Sequence, residues 1–204
     1  DGRIREWSQD FVESEPMHRH LSHLFAFYPG YQFNNDNAPK MVEAAKATLK
    51  VRSNSERGAG KVGWSISWMA AMYARFYEAE QAFEYLIRYH SEKVIHPNLM
   101  SRGGNALEQS TGLTAAMAEM LLQSHQAYIE LLPALPKARP EGEVSGLIAR
   151  GGFELSMTWK KGVLIDASIL SQQGNPCQLR YQGKTISLDI KKGARLNLNK
   201  QLDL

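Results

Sequence analysis

The sequence predicts an α+β protein in which helices fill residues 1–128 and a small antiparallel β-domain, a sandwich or meander, fills 129–204. Three observations carry this expectation. In the first part, apolar side chains recur at i, i+3 and i+4, the spacing of one helix face. After Tyr128 the period falls to two, and short β-rich runs alternate with glycine-containing turns. With 204 residues and 43% hydrophobic composition the chain can bury a real core, and its single cysteine, Cys177, excludes an intramolecular disulfide framework or a cysteine-based zinc site.

The elements follow in chain order. HRHLSHLFAFYPG, His18–Gly30, is expected to begin a helix near His18 that ends before Pro29-Gly30. NAPKMVEAAKATLKVR, Asn37–Arg52, has Asn37 as N-cap, Pro39 in its first turn and a stripe of Met41, Val42, Ala45 and Leu49. VGWSISWMAAMYARFY, Val62–Tyr77, is apolar on nearly all faces, as a helix buried between neighbours must be. Glu80–Val94 is amphipathic, with Phe83, Leu86, Ile87 and His90 on one side, and Thr111–Tyr128 is rich in Ala, Met and Leu. That makes about five helices, with prominent loops at Ser53–Lys61 and His96–Ser110.

The second part reads as strands. AYIELLPALP is a strand candidate closed by prolines, and KARPEG is a linker-like turn. VSGLIA, FELSMTW, VLIDASILS, CQLRY, KTISLDI and ARLNL then follow at hairpin distance. Gly151-Gly152, Lys161-Gly162, Gly174-Asn175-Pro176, Gly183-Lys184 and Lys192-Gly193 supply the turns between them. Phe153, Leu155, Met157 and Trp159 alternate with Glu154, Ser156 and Thr158, which predicts one buried face and one wet one.

Charge excludes several functional classes. A net charge of +3 with acidic and basic residues interleaved argues against a nucleic-acid or membrane patch. No apolar run is long enough for a membrane span. No leader opens the chain, and its start at Asp1 rather than Met suggests a processed chain or a fragment.

Three constellations are candidates for chemistry. In the first, His18, Arg19, His20 and His23 could be metal ligands, core residues or ligand-gripping groups. Zinc would want two histidines on one helical face or an extended H-x-H, and no acidic residue sits at a matching offset on that segment. An arginine fork beside a neutral imidazole suits a polyhydroxylated ligand better. In the second, Arg102–Gly112 (RGGNALEQSTG), Gly103-Gly104 permits unusual backbone geometry, and Glu108 is expected just before a helix capped by Ser110 or Thr111. Its carboxylate reads equally as a general acid or base and as a charge favoured by the helix dipole. The third is GWSISW, in which Trp64 at the helix mouth could line a cleft while Trp68 reads as core.

EWSQDFVESEPMHRHLSHLFAFYPG, GWSISW, AEMLLQSHQAYIELLPALP and VSGLIARGGFELSMTWKKG together resemble the C-terminal part of the α-L-fucosidases of glycoside hydrolase family 95. The similarity runs in order from Glu6 to Tyr181. It implies the last helices of an (α/α)6 barrel followed by a terminal β-domain, and hence a piece of a larger enzyme whose helical part exposes an apolar face, with Trp68, Met69 and Met72 as candidates.

The resemblance also implies roles. In the family's H-R-H-x-S-H-L block the arginine and second histidine bind the sugar; here these are Arg19 and His20, with Trp64 as a further substrate-binding candidate, while His18 and His23 are left as structural. An inverting mechanism needs an acid on the leaving oxygen and a separate carboxylate that activates water. The family's acid and two helper asparagines lie upstream of this block. Counted back from Ala118-Glu119-Met120, the base aspartate falls on Glu108, and Gly112 matches the loop's last glycine. Glutamate is longer by a methylene, a displacement that costs about a hundredfold in rate where the pocket does not compensate. A different L-sugar, an alignment slip or altered chemistry would each account for the departure, and the first is favoured.

The expected function is therefore the C-terminal fragment of an inverting exo-glycosidase acting on terminal α-L-fucosyl or related L-galactosyl residues of glycans, inactive alone. The alternative is a non-catalytic carbohydrate-binding or structural protein of the same fold. The partners implied are a glycan or oligosaccharide and the remaining N-terminal part of the same enzyme. No metal, nucleotide or organic cofactor is implied. By resemblance the setting is periplasmic or secreted.

Overall fold

The computed structural model describes residues 2–53, 63–91 and 107–203. The Gly103-Gly104 pair, most of the Ser53–Lys61 loop and the His90 side chain lie outside the described residues. The chain divides into two compact units, Asp1–Met117 and Ala118–Leu204.

The described residues contain four α-helices: α1 (Pro39–Arg52), α2 (Gly63–Arg75), α3 (Ala79–Ser91) and α4 (Leu107–Leu121). The helix expected from His18 does not form, and only a 3-10 turn, Ser22–Leu24, interrupts an otherwise irregular segment. Side chains of α2 instead bind carbonyls of this irregular segment. Ser65 Oγ donates to Arg19 O (2.8 Å), and Trp68 Nε1 donates to Tyr28 O (3.0 Å). Arg75 Nη1 donates to Phe27 O (2.9 Å) and to Gly30 O (2.6 Å), with its guanidinium 4.9 Å from the Tyr28 ring centroid. Arg75 is only 2% exposed, so the Phe27 and Gly30 carbonyls take the place of water around a buried cation.

Pro39 opens α1, as its missing N–H and fixed φ favour. Asn37 does not cap it: the N-cap is Ala38, with no side-chain bond. Instead Asn37 Oδ1 accepts Asn34 N–H (2.7 Å), and Asn34 Oδ1 accepts Asp36 and Asn37 N–H (2.9 and 3.1 Å). Such side-chain-to-backbone turns compete directly with capping. Val42, Ala45 and Leu49 are buried as expected, but Met41 is exposed, and Thr48 and Arg52 complete the buried face.

Helix α2 is buried nearly all round, and Met69 and Met72 are fully enclosed rather than on an apolar outer face. It ends at Arg75, short of Tyr77, which takes a left-handed φ of 63° and so closes the helix. Helices α2 and α3 meet through Tyr73 and Tyr85, stacked at 5.4 Å, where burial pushes both phenols up. On α3 Leu86 is buried, but Ile87 faces out. Helix α4 starts before Thr111 and stops at Leu121, because Leu122-Gln123 turns directly into a strand and Gln123 Nε2 donates back to Glu119 O (3.0 Å).

The second unit holds two four-stranded sheets. One orders β1 (Leu122–Gln123), β2 (Ile129–Leu131), β6 (Pro176–Tyr181) and β7 (Lys184–Asp189). The other orders β3 (Gly142–Ala149), β4 (Phe153–Lys160), β5 (Val163–Ser171) and β8 (Arg195–Asn199). Every strand run expected after Gly142 forms. The all-antiparallel expectation fails once: β2 and β6 are parallel. Between them the chain leaves for the other sheet and builds β3 to β5, so it returns by a crossover rather than a hairpin.

Phe153, Leu155, Met157 and Trp159 are all buried, and they share one core with Ile129, Leu131, Leu179 and Tyr181 of the facing sheet. Tyr181 Oη accepts Leu164 N–H at 2.8 Å, a polar tie between the sheets. Lys161-Gly162 and Gln182-Gly183 turn with positive φ at both residues, the conformation that two-residue hairpins demand.

Candidate functional site

The site residues named from the sequence all lie in the first unit, on three pieces of chain. The first piece is the irregular segment Glu15–Leu21. Pro16 and Met17 form a turn in which His18 N–H donates to Glu15 O (2.9 Å), and proline at the second position presets that turn. The same turn brings His18 Nδ1 to 2.7 Å from Glu15 Oε2. Beyond the turn the chain is not helical, and the rings of His18 and His20 stack with centroids 4.9 Å apart and planes 22° from parallel.

The second piece is the N-terminal part of α2. Ser65 Oγ fastens the backbone of Arg19 there, so the Arg19 side chain, which is exposed, leaves from a fixed anchor. Trp64, half-buried, packs on Trp68 at 5.5 Å. The third piece is the first turns of α4. Ser67 Oγ donates to Gln109 O (2.7 Å). A Cβ on Gly112 would stand 3.1 Å from Trp64 Cζ3 and 3.2 Å from Ser67 Cβ, so glycine here permits the close approach of α2 and α4. Arg19 and Trp64 are thus held at one end of α2, and the residue after Glu108 is tied to the same helix.

Glu108 does not precede α4 but sits in its first turn, exposed, and Ser110 and Thr111 lie inside the helix rather than capping it. Thr111 Oγ1 donates to Leu107 O (3.2 Å), one turn back. The helix dipole favours a carboxylate at this position. Gly112, which the resemblance matches to the last glycine of the family's loop, lies inside α4 and packs against α2.

The electrostatics favour neutral imidazoles. Burial, then the charges of Arg19 and His18, hold His20 below the ordinary histidine range against the opposing pull of Glu6. His23 is also pushed down, by burial first and then by Arg52, with Arg3 adding to the effect and Glu6 and Glu13 opposing. A neutral imidazole can both donate to and accept from a sugar hydroxyl. Among the described residues no group of three or more His, Cys, Asp or Glu side chains could hold a metal ion. A cavity of about 410 Å³ is lined by Glu15, Pro16, Met17, His18 and Arg19.

Sequence reasoning missed Glu15, Ser65, Ser67 and Arg52. The E-P-M-H turn was a readable signal for the first. Ser65 and Ser67 sit at polar positions in an apolar helix, which is a signal that they need partners but not which ones. Arg52, 4% exposed on its side chain, binds Glu6 (2.9 Å) and Glu13 (3.6 Å) and fixes the N-terminal strap beside the histidines.

Residues 1–121 match the glycosyl hydrolase family 95 catalytic domain, and residues 123–202 match the glycoside hydrolase family 95 C-terminal domain. Alpha-L-fucosidase 2 from Arabidopsis thaliana is 36% identical over 214 residues, covering 99% of this chain and 25% of its own length. A probable alpha-fucosidase A from Aspergillus niger is 27% identical over 187 residues, covering 81% of this chain and 23% of its own. A solved structure, a putative kojibiose phosphorylase from human microbiome, overlaps 86% of this chain and 21% of its own at TM-score 0.38 and 13% identity. The chain spans about a quarter of the length of the curated relatives it matches.

Proposed function

Because this chain belongs to glycoside hydrolase family 95, we propose that it forms the C-terminal part of an inverting exo-glycosidase that removes terminal α-L-fucosyl, or related L-galactosyl, residues from glycans. In this reading α1 to α4 belong to an (α/α)6 barrel. Arg19, His20 and Trp64 grip the sugar, and Glu108 takes the proton from the attacking water. The general acid is supplied by chain beyond this one, consistent with relatives about four times longer. The enzyme acts in the periplasm or outside the cell.

One observation carries the reading: side-chain hydrogen bonds from α2 hold both the Arg19 backbone and the first turn of α4. A sugar needs a donor fork, a stacking face and a carboxylate on a rigid frame. Exposed large apolar residues along the N-terminal strap, Trp7 (63%), Phe11 (61%) and Val12 (99%), support a missing covering layer. A carbohydrate-binding protein without catalysis is the second reading, favoured by the place of Glu108 in the first turn of α4, where the helix dipole alone explains a carboxylate.

The test is Glu108→Gln in the full-length protein, assayed on aryl α-L-fucoside and α-L-galactoside. A general base contributes about 10²–10⁴-fold, so turnover should fall by that range while sugar affinity persists. Unchanged turnover would remove Glu108 from the mechanism. Absence of turnover in the unmutated full-length protein, with L-fucose still bound, would favour the second reading.

A further inference from the structure

Neither His18 nor Glu15 has a role in the function proposed above. Yet the sequence builds them into a unit with His20. Pro16 presets the turn that brings Glu15 and His18 face to face, and the turn is closed by His18 N–H to Glu15 O at 2.9 Å. Within that turn the carboxylate is 2.7 Å from His18 Nδ1, which restrains the ring. An exposed Glu–His pair on its own adds little, because two mobile side chains must be ordered. Here the proline turn has already ordered the backbone between them, so less remains to be lost.

The second link is the H-x-H spacing. Across the bend at Arg19 the His18 ring stacks on the His20 ring, with centroids 4.9 Å apart. We propose that Glu15 and His18 are positioning residues for His20: the turn holds the carboxylate on His18, and the stacked His18 ring fixes the orientation of the imidazole that meets the sugar. This rests on the reading that His20 contacts an L-sugar.

The electrostatics run the same way. The groups that act on His20 are Arg19 and His18, which disfavour its charged form, and Glu6, which favours it, while burial adds to the first pair. Removing the His18 ring therefore both uncovers His20 and removes a repelling neighbour, so the His20 titration moves up. A phenyl ring in place of His18 keeps the cover and loses only the charge, so it should move the titration less.

The experiment has two arms. In the 204-residue chain, carbon-13 histidine labelling follows the His20 ring through a pH titration, its signal assigned by loss in His20→Gln. In the full-length protein, calorimetry measures L-fucose affinity across the same pH range. The expected order of the His20 midpoint is wild type lowest, His18→Phe between, His18→Ala highest. L-fucose affinity should drop about tenfold in His18→Ala, recover only in part in His18→Phe, which keeps the stacked ring but loses the Glu15 contact, and show an acid limb that moves up with the His20 midpoint. A His20 titration unchanged in His18→Ala, or an affinity loss equal in both His18 variants, overturns the positioning role. If the titration moves as expected but His20→Gln binds L-fucose like wild type, the positioning of His20 by His18 stands and the sugar-binding reading of His20 falls.

Discussion

The segment Gly2–Ala38 and the strands β3 to β8 obey different rules. In the strands, alternation at a period of two places Phe153, Leu155, Met157 and Trp159 inward, and each hairpin turn is written in adjacent residues. In the opening segment, apolar residues at helical spacing form no helix, and donors from α2 fix the carbonyls at its end. One region is organised by its own pattern; the other is moulded on a neighbour 40 to 48 positions away. The candidate sugar-binding residues belong to the moulded region, where a loop can be shaped to a ligand without the register constraints of a sheet.

That contrast can be broken by substitutions on either side. The largest effect is expected from Phe153→Ala, which empties a fully packed position in the sandwich core. Loss of about 3–5 kcal/mol should appear as a lowered urea midpoint for the β-unit, with far-ultraviolet strand signal lost cooperatively. A non-cooperative transition would show that the strands do not depend on their shared core.

Arg75→Ala probes the moulded side. It removes two charge-assisted hydrogen bonds and leaves the carbonyls of Phe27 and Gly30 without their donor, at a cost of about 3 kcal/mol. Limited proteolysis should then cut within residues 25–31, while Phe153→Ala leaves that stretch protected at temperatures below its own melting. Protection retained in Arg75→Ala would mean the segment holds its shape by itself.

The smallest effect is a pH slope. His23 is held below its ordinary range mainly by burial, so the unfolded chain binds its proton more readily than the folded one. Its contribution is therefore fully present above the unfolded value near 6.5 and is lost as pH falls through the lower folded value. The wild-type urea midpoint should decline on acidification through this window, and His23→Gln should flatten that decline. An identical slope in both proteins would exclude His23 as its source.

Much of the candidate site was legible only as residue types. Arginine beside histidine, a tryptophan at a helix mouth and a carboxylate near a glycine are visible in the linear chain. That Ser65 anchors Arg19 and Ser67 anchors Gln109 was not, because a serine inside an apolar helix states a need for a partner without naming it. The start of α4 was misread for a similar reason: Ser110 and Thr111 are good caps by composition, yet both fall inside a helix that begins at Leu107.

By itself the sequence determined the β-unit's strands from Gly142 onward and the inward face of β4, together with the existence of α1 to α4. These depend on period and on turn residues, which are local quantities. Only the tertiary structure decided that His18–Gly30 is not a helix, that β2 pairs with β6 in parallel, and that Gly112 is a point of close approach between α2 and α4. Each of those outcomes depends on where distant donors and rings happen to sit. A buried cation such as Arg75 takes its acceptors from whichever chain can reach it, and here that chain is the irregular segment at Phe27 and Gly30.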